Sequence, residues 1–484
     1  MSTYYDLGNH ARAITTASPE GQLWFDRGLN WTYGFHHEEA VLCFEQALVA
    51  DPGCAMAHWG VAYAAGPNYN KQWEQFDPVD LAATVSRCYL ATEQAMTLLD
   101  HADPVERELI RALESRYQSP DVPETIEELL QWNDDYADAM REVYESYGHD
   151  LDVVTLFAEA LMNRTPWKLW DITTGQPTDG SSTIEAREVL ERALANPASR
   201  IHPGVLHMYI HLMEMSPTPE AALQAADHLR GLVPDAGHLQ HMSTHIDVLC
   251  GHYYEVVTWN HEAIVADRKY LEQAGAMNFY TFYRLHNYHF KMYGAMFMGQ
   301  YEAAKAAADE MTATLPTELL QVEVPPMADW LEAYVPRGLH VLVRFGKWQE
   351  IIDLPLPDDQ QLYSVTTAML HYAKGVAHAA SGQIAEAEAE RERFRAALAR
   401  VPETRAFQNS FSVDILAVGS AMLDGELEYR KGNYDEAFAH LRRAVDLEDA
   451  QPYAEPWAWM QPTRHSLGAL LLEPFDLAGE IIGG

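Results

Sequence analysis

The sequence predicts an all-α chain assembled from repeated helix pairs, and three observations carry that expectation. Small, aromatic and proline landmarks return at a step of 34 residues in the best-preserved stretches. Apolar residues follow a helical period, with three- and four-residue spacings. No segment shows sustained period-two alternation bounded by turn residues, so no sheet is expected.

The clearest unit comes first. Trp24, Gly28, Trp31, Ala40, Phe44, Ala47 and Pro52 mark two helices, with small residues where the helices approach and large ones filling the gap. Proline closes the second helix by lacking a donor and clashing with the preceding turn. The next helix, in CAMAHWGVAYAAGPNYNK, should stop at Gly66 and Pro67. Longer, more acidic helices follow (ERELIRALESRY, then TIEELLQWNDDYADAMREVYESYG), with a loop expected near Trp170 to Ser182. A repeat then runs from Pro203 to Pro234, and another carries Gly251, Tyr253, Val256 and Ala263. A third has Gly299, Tyr301, Ala304 and Pro316, 48 residues on, which implies a 14-residue insertion near Asp267 to Asn278. Weaker copies surround Gly346, Gly382 and Gly432, and RHSLGALLLE reads as a first helix whose partner is missing because the chain stops at Gly484. These landmarks divide the chain into N-terminal repeats (1–102), divergent repeats with a loop (103–200), histidine-rich central repeats (201–317) and C-terminal repeats (318–484), expected to form one continuous superhelix.

The pattern of aromatic, Gly, aromatic, Ala, Phe, Ala and Pro in the first unit resembles the tetratricopeptide repeat family. The phrases CAMAHWG, AGHLQHMSTHI, HNYHF and RHSLGALLLE are similar to those of a bacterial subgroup of that family. The resemblance implies an α-α superhelix with a concave groove. It also implies a possible protein partner, since the wider family consists mostly of peptide-binding scaffolds.

Composition narrows the partners. With 71 acidic against 33 basic residues the net charge is -38, which offers no basic surface for nucleic acid or anionic membrane. Cys43, Cys54, Cys88 and Cys250 are widely spread, without a CxxC pair, so neither a disulfide framework nor a thiolate metal site is expected. The start, MSTYYDLGNHARAI, lacks a basic segment followed by an apolar run, and no stretch approaches a membrane span. A cytoplasmic protein is the expectation.

Of the 22 histidines, 11 lie between His202 and His289, where an even spread would put about four. In the family resembled here, each first helix lines the groove through its second, fifth, ninth and twelfth places. A register fixed from the Gly, Ala and Pro landmarks puts Gly204, His207, His211 and Glu214 there in one repeat. The next repeat puts His238, His241, His245 and Val248 there, and the third His286, His289, Tyr293 and Met296. Residues three, four or seven apart share a helix face. Seven imidazoles and a carboxylate without a thiolate point to copper or iron, with zinc possible, in a mono- or binuclear site. The expected metal ligands are therefore His207, His211, Glu214, His238, His241, His245, His286 and His289. Glu159 and Tyr293 are the candidate catalytic groups, and Trp59, Tyr63 and His340 the candidate substrate contacts. The chemistry expected is oxidation of a small organic molecule. A zinc-type hydrolase and a non-catalytic scaffold for a partner peptide are the alternatives.

Overall fold

The computed structural model describes residues 4–477. The readings at the first three residues and at Gly484 lie outside the described residues. Helices form in sequential pairs: α1 (Pro19–Tyr33) with α2 (His37–Ala50), α3 (Ala55–Ala65) with α4 (Pro78–Thr97), α5 (Pro104–Arg116) with α6 (Ile126–Tyr147). They continue as α7 (Leu151–Met162) with α8 (Thr183–Leu194), α9 (Pro203–Glu214) with α10 (Leu223–Leu229), and α11 (Gly237–Leu249) with α12 (Tyr253–Ala274). Helix α13 (Thr281–Phe297) leads to α14 (Tyr301–Ala313), then to the short α15 (Thr317–Leu320) and α16 (Met327–Leu331). The last helices are α17 (Gly338–Arg344), α18 (Trp348–Asp353), α19 (Ser364–Ala380), α20 (Ile384–Leu398), α21 (Ser412–Arg430), α22 (Tyr434–Asp449) and α23 (Thr463–Leu477). This is an all-α, tetratricopeptide-like fold of helix pairs.

One turn recurs between the paired helices. Gly251, Gly299, Gly346, Gly382 and Gly432 each follow a first helix by two residues and adopt positive φ, between 62° and 85°. The next amide donates to the carbonyl five residues back in every case (His252 to Asp247, Gln300 to Ala295, Lys347 to Leu342, Gln383 to His378, Asn433 to Glu428). This closes the orphan carbonyls of the helix end, and the left-handed residue in it is normally glycine. The α1–α2 turn has the same bond, from His36 to Trp31, but Phe35 occupies the left-handed place at φ 52°.

Packing follows the predicted logic in the first pairs. Phe44 is fully buried between two glycines: a Cβ on Gly28 would lie 2.6 Å from its ring and one on Gly60 2.5 Å from it. Burying that ring contributes about 1.5–3 kcal/mol, and only hydrogen atoms on the flanking helices leave room for it.

Three differences from the sequence reading have physical causes. The insertion near Asp267 to Asn278 is largely a longer second helix: α12 runs on to Ala274 and ends at Gly275, φ 72°. The Trp170–Ser182 segment is not a plain loop but contains a two-stranded ribbon, Trp170–Asp171 against Gln176–Pro177, anchored by Trp170 Nε1 donating to the Leu212 carbonyl at 2.7 Å. A second ribbon pairs Ala406–Phe407 with Ser410–Phe411. Strands of two residues are too short to show a period of two.

The chain divides into two compact units, one ending at Asn287 and the other starting at Tyr288. This division falls inside the histidine-rich stretch, within α13. Among the described residues no helix is long and apolar enough to cross a membrane, and all four cysteines are free thiols.

Candidate metal centre

In the first unit, α9, α11 and the start of α13 present their imidazoles to one another. The ligand nitrogens of His207, His211 and His238 lie within 4.8 Å of one another, and so do those of His241, His245 and His286. The two groups adjoin, with ring centroids 5.9 Å apart for His211 and His245 and 6.0 Å apart for His238 and His241. The 34-residue step between α9 and α11 is what puts equivalent places side by side.

Proton positions follow from the outer partners. His207 Nδ1 lies 2.6 Å from the Tyr33 carbonyl, which can only accept, so Nδ1 carries the proton. His211 Nδ1 lies 2.9 Å from one oxygen of Glu214, and His245 Nδ1 lies 2.8 Å from the other. Asn260, on α12, gives its amide hydrogens to the Val256 carbonyl and Thr244 Oγ1, so its oxygen faces His241 Nδ1, at 2.7 Å. Three imidazoles, His207, His211 and His241, therefore hold their proton on the outer nitrogen and turn the Nε2 lone pair inward. His207 Nε2 and His211 Nε2 have no hydrogen-bond partner, nor does either ring nitrogen of His238. His241 Nε2 and His245 Nε2 face each other at 2.7 Å. With the His241 proton on Nδ1, His245 can donate from Nε2 to His241 Nε2, or both rings can turn to a shared ion.

Electrostatics agree. Burial pushes the proton affinity of His207, His238, His241 and His286 well below the ordinary imidazole value, and neighbouring imidazoles push it further. Burial alone would raise Glu214, but the facing His211 and His245 outweigh it and hold the carboxyl below its usual range. The group is thus a set of neutral nitrogen donors around one buried carboxylate. A tetrahedral ion with bonds of about 2.0–2.1 Å needs its nitrogens about 3.3 Å apart, within reach of small ring rotations in either trio. Nδ1–H fixed by carboxylate, amide or carbonyl is the arrangement that orients metal-bound imidazoles. The residues fit a transition metal.

An aromatic wall covers the first trio. Phe35 lies 4.5 Å from the His207 ring and stacks on His211 at 5.5 Å and on His238 at 5.6 Å. Tyr69 and Trp167 sit 5.0 and 5.8 Å from His211, and Tyr283 sits 4.7 Å from His238. Trp167, like Phe35, holds positive φ, at 57°. Non-glycine residues in this region cost about 1–3 kcal/mol each and persist where surrounding structure holds them. Phe35 and Tyr283 also line a cleft of about 530 Å³ whose walls include Phe76, Phe279, Glu38 and Lys71. The same two rings thus border both the cleft and the imidazoles.

The other expected site residues fall in different surroundings. Glu214 turns one oxygen to His211 Nδ1 at 2.9 Å and the other to within 2.8 Å of His245 Nδ1. Glu159, on α7, accepts from Tyr63 and from Asn163, and Arg116 lies over the Tyr63 ring at 5.0 Å. Trp59 stacks on Tyr63 at 5.0 Å. With Arg116, these three form a buried knot of α3, α5 and α7. His289, Tyr293 and His340 belong to the second unit. The His289 ring packs against Tyr334 and Phe407, Tyr293 stacks on Phe297, and His340 meets Trp459 edge-on at 4.8 Å.

Sequence reasoning missed Asn260, the Tyr33 carbonyl, Phe35, Tyr69 and Trp167. It also missed a buried group in which Asp152 takes the Tyr33 hydroxyl at 2.6 Å and meets the rings of His10 and His202 at 3.1 Å. Arg12 lies on that same carboxylate at 2.9 Å, so a cation is already supplied there.

No family model matches the chain, and no curated protein matches it. Among solved structures it is similar to the APC/C hetero-tetramer Cut9-Hcn1, at 12% identity, covering 93% of this chain and 76% of that one, with a TM-score of 0.32. It is also similar to yeast Tom70, at 12% identity, covering 96% of this chain and 92% of that one, with a TM-score of 0.30. Likeness at this level carries no argument about the site, which stands on its own geometry.

Proposed function

We propose that the first unit holds a transition-metal centre in a helical-repeat scaffold and uses it to oxidise a small organic molecule. The observation that carries this reading is the convergence of six imidazoles into two trios, His207, His211 and His238, and His241, His245 and His286, with His207 Nε2, His211 Nε2 and both ring nitrogens of His238 lacking a hydrogen-bond partner. Buried nitrogens left in this way favour a ligand between them. Six imidazoles without a thiolate favour copper or iron, which supply electron transfer when bound, with zinc as the Lewis-acid alternative. His207, His211 and His238 would hold one ion and His241, His245 and His286 a second. Glu214 positions both sets from behind. Phe35 and Tyr283 separate the first trio from the cleft, through which an uncharged or aromatic substrate would approach.

The test is elemental analysis and a visible absorption spectrum of the purified full chain, with oxygen uptake as the activity readout. The proposal expects up to two copper or iron ions per chain, reduced to about half in His207→Ala or His241→Ala. A folded protein that carries no transition metal, and binds none on titration, would refute it.

A second reading is favoured by the run of helix pairs itself: a non-catalytic scaffold that captures a partner peptide. The histidines are too buried to contact such a peptide, so capture would use other surfaces. That reading expects a peptide affinity unchanged by His207→Ala and by chelators.

A further inference from the structure

Within the first unit, aromatic rings run in unbroken contact from the first imidazole trio to the surface beside the amino-terminal segment. Tyr283 meets the His238 ring at 4.7 Å and the Tyr280 ring at 5.4 Å, centroid to centroid. Tyr280 stacks on His36 at 4.0 Å, and His36 meets Trp31 at 5.0 Å. Trp31 gives its indole N–H to the Tyr4 hydroxyl at 2.9 Å, and Tyr4 meets Trp24 edge-on at 5.3 Å. The inner rings are buried, whereas Tyr4 and Trp24 are half-buried. The row therefore reaches solvent at Trp24.

Packing alone brings aromatic rings together between helices. Two tyrosines of this row carry a further feature, because each hands its phenolic hydrogen to a carboxylate. The Tyr280 hydroxyl donates to Asp267 Oδ1 at 3.0 Å, and the Tyr4 hydroxyl to Glu39 Oε1 at 3.1 Å. Asp267 is 1% exposed, and its other oxygen accepts from Asn287 at 2.7 Å. Glycine at the start of α11 leaves room for this carboxylate, since a Cβ on Gly237 would lie 1.9 Å from Asp267 Oδ1. Burial lifts the Asp267 carboxyl to about 6, so it is ionised at neutral pH yet basic enough to take a proton. The Tyr280 oxygen also accepts from the His238 amide at 3.2 Å, which fixes it against the residue whose ring joins the trio. A phenol gives up an electron readily only when its proton has a base to go to, and a carboxylate at hydrogen-bond distance is that base.

We propose that this row of rings is an electron relay, with Tyr280 as its redox-active step, joining the imidazole centre to a small one-electron reductant at Tyr4 and Trp24. The relay rests on the metal reading above and supplies the electron donor that such a centre needs. Tyr280 loses one electron to the oxidised centre while its phenolic proton crosses to Asp267 Oδ1, leaving a neutral tyrosyl. An electron from the reductant, passed through Trp24, Tyr4 and Trp31, refills Tyr280, and Asp267 returns the proton. The sum is one electron moved from reductant to centre, with no proton consumed.

The experiment has two arms, both on the full chain. In the first, the metal-free protein is photo-oxidised with ruthenium tris-bipyridine and persulfate, frozen, and read by electron paramagnetic resonance. A long-lived tyrosyl signal should appear. It should be lost in Tyr280→Phe, which keeps the ring, weakened in Asp267→Asn, which removes the base, and unchanged in Tyr209→Phe, which lies outside the row. In the second arm the copper-loaded protein is reduced by ascorbate and followed through its visible absorption. Tyr280→Phe should slow that reduction about tenfold or more at unchanged copper content. A radical signal or a reduction rate in Tyr280→Phe equal to that of the unaltered chain overturns the relay. A chain that takes up no copper overturns the metal centre instead, and the first arm alone then decides whether the rings conduct.

Discussion

Replacing Glu214 by Gln tests how the proposed metal centre would be held together. Gln keeps the size of the side chain but turns one acceptor oxygen into an NH2 donor. One oxygen of Glu214 accepts from His211 Nδ1 at 2.9 Å, and the other lies 2.8 Å from His245 Nδ1. An amide that turns its NH2 toward His211 loses that bond, and the ring's best response is to move its proton from Nδ1 to Nε2, which removes the lone pair needed for an ion. Loss of such an outer partner lowers metal affinity by about 10–100-fold, or roughly 1.4–2.8 kcal/mol. The expected result is selective: one ion weakened by that factor and the other close to the unaltered protein. Competition against a chelator of known affinity, followed ion by ion, reads it out. Combining Glu214→Gln with Ala at the affected histidine should add little further loss at that trio, because both changes remove the same ligand. If Glu214→Gln bound both ions as tightly as the unaltered protein, the carboxylate would have no positioning role and the reasoning would fail.

Three further outcomes follow. Burial holds His36 at about 3, His37 at about 4 and His340 at about 3, against about 6.5 unfolded. Their contribution is complete above pH 6.5 and is lost as pH falls, because the unfolded chain takes up protons that the folded one refuses. Stability should drop by about 1.4 kcal/mol per pH unit for each ring below about pH 5.5, and urea midpoints that stay level from pH 6.5 to 4.5 would contradict this. Gly60→Ala should destabilise by about 1–3 kcal/mol through overpacking against Phe44, seen as a lower Tm, whereas an unchanged Tm would mean the ring has room to move. Phe35→Gly relieves a left-handed non-glycine residue, worth about 1–2 kcal/mol, while stripping the ring from three imidazoles. Water access to a bound cobalt probe should rise, visible as a shift in its absorption bands, and an unaltered spectrum would deny Phe35 a covering role.

The histidine-bearing helices were legible because their signal is local. Spacings of three, four and seven put His207, His211 and Glu214 on one face, and the 34-residue step sets α9 beside α11. Register over the longer interval before α13 was harder. His286 meets His241 and His245 as expected, while His289 packs in the second unit against Tyr334 and Phe407. The lengthening of α12 explains why: it inserts residues without breaking helical periodicity, so nothing in the local pattern says how α13 is placed. Asn260 was invisible for a different reason. A single Asn on the second helix of a pair looks like any polar residue until His241 is found 2.7 Å away. Phe35 did carry a signal: it stands where five other turns place glycine, a comparison within the chain that needs the turns aligned and not the helices.

The facing nitrogens of His241 and His245 bear on how the protein matures. The two rings stand one turn apart on α11, so folding of that helix alone brings their Nε2 atoms together. Burial disfavours a proton on His241, so under the proposed function a metal would enter a neutral, already folded site. A metal-free chain would then differ from the loaded one by faster opening in hydrogen exchange around α11.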